Sequence, residues 1–123
     1  MAGHRWARID LTYLTNPKLR GLPPEVVLLH LASILHCAEH LTDGQIAYRS
    51  LTDLAQIAYI DKKWARRRAS LLVDRGLWIE TETGWQLHDF EAMNPQAMRC
   101  VVERDRALAR ERQHRHRNRD VTP

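Results

Sequence analysis

DKKWARRRASLLVDRG, residues 61–76, is the stretch whose reading decides the fold. It opens on Asp61, a side chain able to accept the first free N–H groups of a helix, and closes on Gly76, which suits the left-handed residue that ends one. At 100° per residue, Ala65, Ala69, Leu72 and Val73 fall on one apolar stripe, so the spacing predicts a helix packed by that face on a core. Lys63, Arg66, Arg67 and Ser70 project from roughly the opposite side, while Trp64, Arg68, Leu71 and Arg75 occupy a third flank. Such a helix presents donors that suit phosphate oxygens and guanine edges in a major groove. A solvated surface helix rich in arginine is the plainer reading of the run taken alone.

The flanking sequence favours the first reading. LWIE-TETG-WQLH, residues 77–88, consists of two short alternating runs rich in β-branched and aromatic residues, separated by a polar segment with a glycine, which predicts a β-hairpin. Upstream, Ser50-Leu51-Thr52-Asp53 resembles a capping box with Asp at its fourth position. It predicts a short helix through about Tyr59, with Leu51, Leu54, Ala55 and Ala58 on its apolar side. Ile60 and Asp61 then join two helices in a helix-turn-helix arrangement, without the glycine often seen in such turns. Earlier, Pro23-Pro24-Glu25 leads into VVLLHLASILHCAEHL, residues 26–41, apolar on most of its circumference and therefore the central helix. Thr42-Asp43-Gly44 is turn chemistry, and Gln45-Ile46-Ala47-Tyr48 is long enough for a strand that joins the hairpin. The expected fold class is α+β: a winged helix-turn-helix over residues 1–92, mostly helical with a small three-stranded sheet, followed by a C-terminal basic helix and disordered tail over residues 93–123.

Several short motifs carry a family resemblance: Trp6 with Ile9-Asp10, Pro17-Lys18, Thr42-Asp43-Gly44-Gln45-Ile46, Leu72-Val73-Asp74-Arg75-Gly76-Leu77-Trp78, and Gly84-Trp85 leading into Leu87-His88-Asp89-Phe90. In these, over about residues 5–91, the chain resembles winged-helix DNA-binding proteins of phages and actinobacteria, and is similar to the N-terminal domains of replisome-organiser and replication-initiator proteins. The resemblance implies DNA binding in replication initiation or in transcriptional regulation, without choosing between them.

Length and charge agree with one small domain plus an extension. At 123 residues and 44% hydrophobic, the chain can build one core. The net charge of +4 is uneven: residues 61–76 carry six bases and two acids, 77–98 no bases and four acids, and 99–123 eight bases and four acids. Clustered arginine with a pI near 9.5 is the footprint of a polyanion binder. Neither basic segment has the broad aromatic stripe that a membrane surface would favour. The hairpin runs against the pattern, since Glu80 and Glu82 flank its tip and phosphate should repel it. Thr81 and Thr83 remain as donors, and the acidic block Glu80, Glu82, Asp89 and Glu91 is also suited to a basic tail or a protein partner.

Asn94-Pro95 reads as cap and first turn of a last helix, with Ala97, Met98, Val101, Val102 and Leu108 forming a stripe that fades toward the C-terminus. Beyond Leu108 the chain is almost wholly polar, so it is expected to fray and to act as a basic arm along DNA, or merely to solubilise. Residues 1–22 are too polar for a secretory signal, and no segment reaches the apolar length of a membrane span, which points to the cytoplasm of a bacterium or a phage-infected one. Cys37 and Cys100 lack metal or disulfide spacing and read as reduced thiols. Trp6, Trp78 and Trp85 fall in predicted strands and are assigned to the core, whereas Trp64 lies on the basic helix. His36-Cys37-Ala38-Glu39-His40 matches the H-x-x-E-H pattern of inverted zinc peptidases, but five residues match easily by chance and are read as a helix end. With neither a nucleotide-binding glycine loop nor a nucleophile elbow, a non-enzyme without cofactor or metal is expected.

The expected contacts to double-stranded DNA are Lys62, Lys63, Arg66, Arg67 and Ser70 on the helix, Arg49 ahead of it, and Arg110, Arg112, Arg115, Arg117 and Arg119 in the arm. The alternative is a protein-interaction adaptor in a replication or transcription complex, with the acidic wing and Trp64 as its contact face. An RNA-binding role ranks below both. An inverted-repeat DNA site would require a homodimer, through either the first long helix or the last.

Overall fold

The computed structural model describes residues 5–121, and side chains through residue 118. The fold is α+β. Helix α1, Pro24–His40, begins at a proline whose missing N–H is no loss in a first turn. It buries Val26, Leu29, Ser33 and Cys37 completely and packs against the two helices that follow the first strand. Three residues with positive φ, Leu41, Asp43 and Gly44, reverse the chain into strand β1, Gln45–Ala47. Gly44 has a steric reason as well: a Cβ there would lie 2.6 Å from Gln86 Nε2 and 2.9 Å from Phe90 Cβ.

The short helix α2, Leu51–Ile57, buries Leu51, Leu54 and Ala55 as its periodicity predicts. Its start differs from the expected capping box. A 3-10 turn at Tyr48–Ser50 winds the chain before α2 begins, so Ser50 is helical, not extended, and its side chain caps nothing. Helix α2 ends in a turn that lacks glycine: Tyr59 itself takes φ 60°, with its N–H on the Gln56 carbonyl and that of Ile60 on the Ala55 carbonyl. This left-handed tyrosine costs about 1–2 kcal/mol, which burial of Ile60 and Ala58 beside it offsets.

Asp61 then caps the next turn, its carboxylate accepting the Lys63 N–H at 3.1 Å. A 3-10 turn at Lys62–Trp64 runs into helix α3, Ala65–Asp74. Gly76, at φ 72°, closes it: its N–H donates to the Val73 carbonyl and that of Leu77 to the Leu72 carbonyl, a Schellman pair. Strands β2, Trp78–Glu80, and β3, Gly84–Leu87, form the hairpin, and β1 adds to its other side in the antiparallel order β1-β3-β2. Ile46 faces Trp85 and Ala47 faces Gly84.

Trp78 and Trp85 are buried with ring centroids 5.3 Å apart, and the Trp78 indole N–H donates to Ser33 Oγ at 3.2 Å. Trp6, assigned to the core with them, is instead 68% exposed. No strand forms around it. Residues 5–10 are irregular and held by polar contacts, from Arg5 to the Ala38 and Glu39 carbonyls and between Arg8 and Asn94, which leave the indole at the surface.

Asn94 is likewise no helix cap. Its side chain is buried, accepts the Arg8 N–H at 2.6 Å and donates to the Arg8 carbonyl. After a short helix α4, Phe90–Met93, and a 3-10 turn at Pro95–Ala97, helix α5, Arg99–Val121, is capped from afar: Asp43 Oδ1 accepts the Arg99 N–H at 2.7 Å. Ala97 and Val102 pack on the domain, and every described residue of α5 beyond Val102 is exposed. Where a disordered tail was expected past Leu108, the helix is continuous. Its alanine, arginine, glutamate and glutamine are good helix formers, and Arg99–Glu103 and Glu111–Arg115 pair at i,i+4. No helix among the described residues is long and apolar enough to cross a membrane.

Candidate nucleic-acid interface

Helix α3 is seated by Ala65, Ala69 and Leu72, all buried, with two small residues letting it approach α1 and α2 closely. The opposite face is exposed and carries Arg66, Arg67 and Ser70, with the exposed Lys62 and Lys63 in the 3-10 turn that leads into it. The expected helix site is therefore assembled on one surface. The six bases of residues 61–76 do not all belong to that surface. Arg68 pairs with Glu25 at 3.6 Å, and Arg75 donates to the Lys18 and Arg20 carbonyls at 3.2 and 2.6 Å, stapling the chain ahead of α1 to the end of α3.

Three of the four remaining bases, Lys63, Arg66 and Arg67, lie on aromatic supports. The Arg66 guanidinium sits 4.4 Å above the Tyr48 ring and 5.8 Å from that of Trp85. Tyr48 meets Trp85 edge-on at 4.9 Å, and its hydroxyl donates to the Thr81 carbonyl at 3.1 Å. Thus the hairpin, although acidic, forms part of the shelf that carries Arg66. Lys63 and Arg67 flank Trp64, 5.7 and 5.1 Å from its ring. Such stacking reduces the conformational freedom a long side chain would lose on binding. The Ser70 hydroxyl donates to the Arg66 carbonyl at 3.1 Å, and its oxygen stays exposed. The Tyr48–Trp85 shelf was not anticipated from the sequence. Its signal was the period-2 spacing of Ile46 and Tyr48: although Tyr48 lies in the 3-10 turn just past β1, its ring stays on the side of Ile46, toward Trp85.

Arg49 is exposed in the 3-10 turn before α2, next to this shelf. The arm residues are not gathered with the helix site. Arg110 lies near Trp6 in a groove beside α5, Arg115 pairs with Glu111 at 2.6 Å, and Arg112 donates weakly to the Leu108 carbonyl at 3.5 Å. At 100° per residue Arg110 and Arg117 share one flank and Arg112 and Arg115 another, so these four do not form one stripe. The side chain of Arg119 lies outside the described residues. Beside the bases stands an exposed apolar cluster at the α2–α3 turn: Ile57, Tyr59 and Trp64.

The His36–His40 pair sits one turn apart on α1 with ring centroids 4.6 Å apart. Cys37 between them is buried, which pushes its thiol up to about 11. Glu39 is exposed, 3.9 Å from His40. Among the described residues no three His, Cys, Asp or Glu side chains come together as metal ligands. Deeper in the core, His30 Nδ1 and the Tyr13 hydroxyl share a hydrogen bond of 2.6 Å, and burial lowers the His30 pKa to about 4 and raises that of Tyr13. Compared with known proteins, the chain matches no family model, no curated protein and no solved structure.

Proposed function

We propose that this chain is a winged helix-turn-helix protein that binds double-stranded DNA selectively, in replication initiation or transcriptional regulation. In this reading α2 and α3 are the helix-turn-helix, the β2–β3 hairpin is the wing, and α3 enters the major groove. The observation that supports it most is the two-faced character of α3 and the turn that leads into it: Ala65, Ala69 and Leu72 buried beneath, Lys63, Arg66 and Arg67 exposed above, two of these bases resting on Trp64 and the third on Tyr48. A helix about 10–12 Å across fits a major groove about 12 Å wide. Arg66 and Arg67 would address guanine edges or phosphates, Lys62 and Lys63 the backbone, and the bases of α5 would add affinity without selectivity.

The exposed Ile57, Tyr59 and Trp64 favour a second reading, a protein-binding adaptor that uses this apolar cluster and the acidic hairpin. Selection of bound sequences from a pool of randomised duplexes separates the two. Enrichment of a defined motif by the native chain, lost in Arg66→Ala with Arg67→Ala, is the result expected of a DNA reader. No enrichment by the native chain contradicts it.

A further inference from the structure

His36 and His40, which the duplex-binding reading leaves unused, line a groove of about 500 Å³ between the end of α1, the free edge of β1 and the hairpin tip. Arg49 and Ser50 line it from the turn before α2, Thr83 from the hairpin and Arg99 from the start of α5. With Thr42 from the loop after α1, two guanidinium groups, two imidazoles and three hydroxyls thus surround one space. Asp43 is the one carboxylate among the described lining residues, and it is occupied in capping α5. Arg99 is engaged only by an exposed pair with Glu103 at 3.5 Å, an interaction weak enough to exchange. The groove also abuts Trp85, part of the shelf beneath Arg66, so it continues the surface on which the exposed bases of α3 lie.

We propose that this groove holds a backbone phosphodiester of the bound DNA, gripped by Arg49 and by His36 and His40. The inference rests on the duplex-binding reading and extends it to a second contact away from α3. A planar guanidinium matches two phosphate oxygens, and imidazole N–H groups and hydroxyls supply the remaining donors. Burial, and after it the neighbouring His40, hold the His36 pKa below the usual histidine value, against the opposite pull of Glu39 and Asp53. His36 is therefore mainly neutral at pH 7, and a phosphate beside it favours the protonated ring. Binding then takes up a proton, and affinity rises as the pH falls toward about 6.

The test is fluorescence-anisotropy titration of a duplex with the full chain, at constant ionic strength for the pH series and at several salt concentrations for the slope. Arg49→Ala is expected to weaken binding about tenfold and to lower the salt slope by about 1, as for one phosphate no longer neutralised. His36→Gln with His40→Gln is expected to abolish the gain in affinity between about pH 8 and about pH 6, whereas His114→Gln with His116→Gln is expected to keep it. Equal urea midpoints show that the variants are folded. An unchanged salt slope in Arg49→Ala, or a pH response kept in the His36 and His40 variant, overturns the phosphate site while α3 stands as the reader. No duplex binding by the native chain overturns both.

Discussion

Replacing Tyr48 with leucine tests whether the acidic hairpin serves DNA binding by carrying Arg66 rather than by touching the duplex. The substitution removes the ring that lies 4.4 Å beneath the Arg66 guanidinium, its edge-on packing with Trp85 at 4.9 Å, and the hydroxyl bond to the Thr81 carbonyl at 3.1 Å. A cation over an exposed ring contributes about 0.5–1 kcal/mol, an aromatic pair about 0.5–1.5 and a neutral hydrogen bond about 0.5–1.5. These terms share one side chain and do not simply add, and leucine keeps part of the apolar packing, so a loss of about 2 kcal/mol in stability is expected. Arg66, freed from the ring, must then be ordered when DNA binds, at a cost of about 0.5–1.5 kcal/mol, or roughly fivefold in affinity. Urea denaturation measures the first effect and anisotropy titration of a selected duplex the second. Tyr48→Phe, which keeps the ring, should lose about 1 kcal/mol of stability and little affinity. Equal or tighter DNA binding by folded Tyr48→Leu, with binding still abolished in Arg66→Ala, would refute the shelf.

Three further expectations concern the fold. Gly84→Ala places a Cβ 1.9 Å from the Ile46 carbonyl oxygen, so β1 must part from β3 and stability should fall by about 3 kcal/mol; a urea midpoint equal to that of the native chain would contradict this register. His30 is held neutral in the fold with a pKa near 4, while the unfolded chain takes up its proton below about 6.5. Its contribution is therefore intact above pH 6.5 and lost as the pH falls toward 4, by about 3 kcal/mol; His30→Gln should flatten this part of the stability–pH curve, and an unchanged curve would show that His30 is not the group responsible. Asn94→Ala leaves the Arg8 N–H without its 2.6 Å acceptor and should cost about 1–3 kcal/mol, with faster hydrogen exchange at Arg8 as the local signature.

What was legible in the sequence was whatever depends on neighbours in the chain. Residues 61–76 showed cap, stripe and stop, and Asp61, Ala69, Leu72 and Gly76 occupy those roles in α3 and its turns. The alternation in residues 77–88 gave the hairpin, and burial of Trp78 and Trp85 follows from it. The misses came where local and distant partners compete. Ser50 has the composition of a cap but lies inside a 3-10 turn, and Tyr59 holds a left-handed position that composition assigns to glycine. Trp6 is apolar but sits in a segment tied down by Arg5 and Arg8. Asn94, next to a proline, reads as a cap, yet its partner is Arg8, and α5 is capped by Asp43, 56 residues away. At the candidate site the exposed bases of α3 were legible from periodicity. Their sorting was not, because Glu25, Tyr48 and the Lys18 and Arg20 carbonyls that engage Arg68, Arg66 and Arg75 come from elsewhere in the chain.

The most direct test of the central claim is a salt series of duplex anisotropy titrations with the intact chain, with Arg66→Ala plus Arg67→Ala, and with a chain ending at Leu108, which retains the packing of Ala97 and Val102 on the domain. The intact chain is expected to show a steep salt dependence. Truncation should flatten the slope by about 0.9 for each phosphate that the arm neutralises, while selective binding persists. The double substitution should abolish preference for the selected duplex. Absence of duplex binding by the intact chain even at low salt would rule out a DNA reader and favour the exposed Ile57, Tyr59 and Trp64 as a protein-binding face.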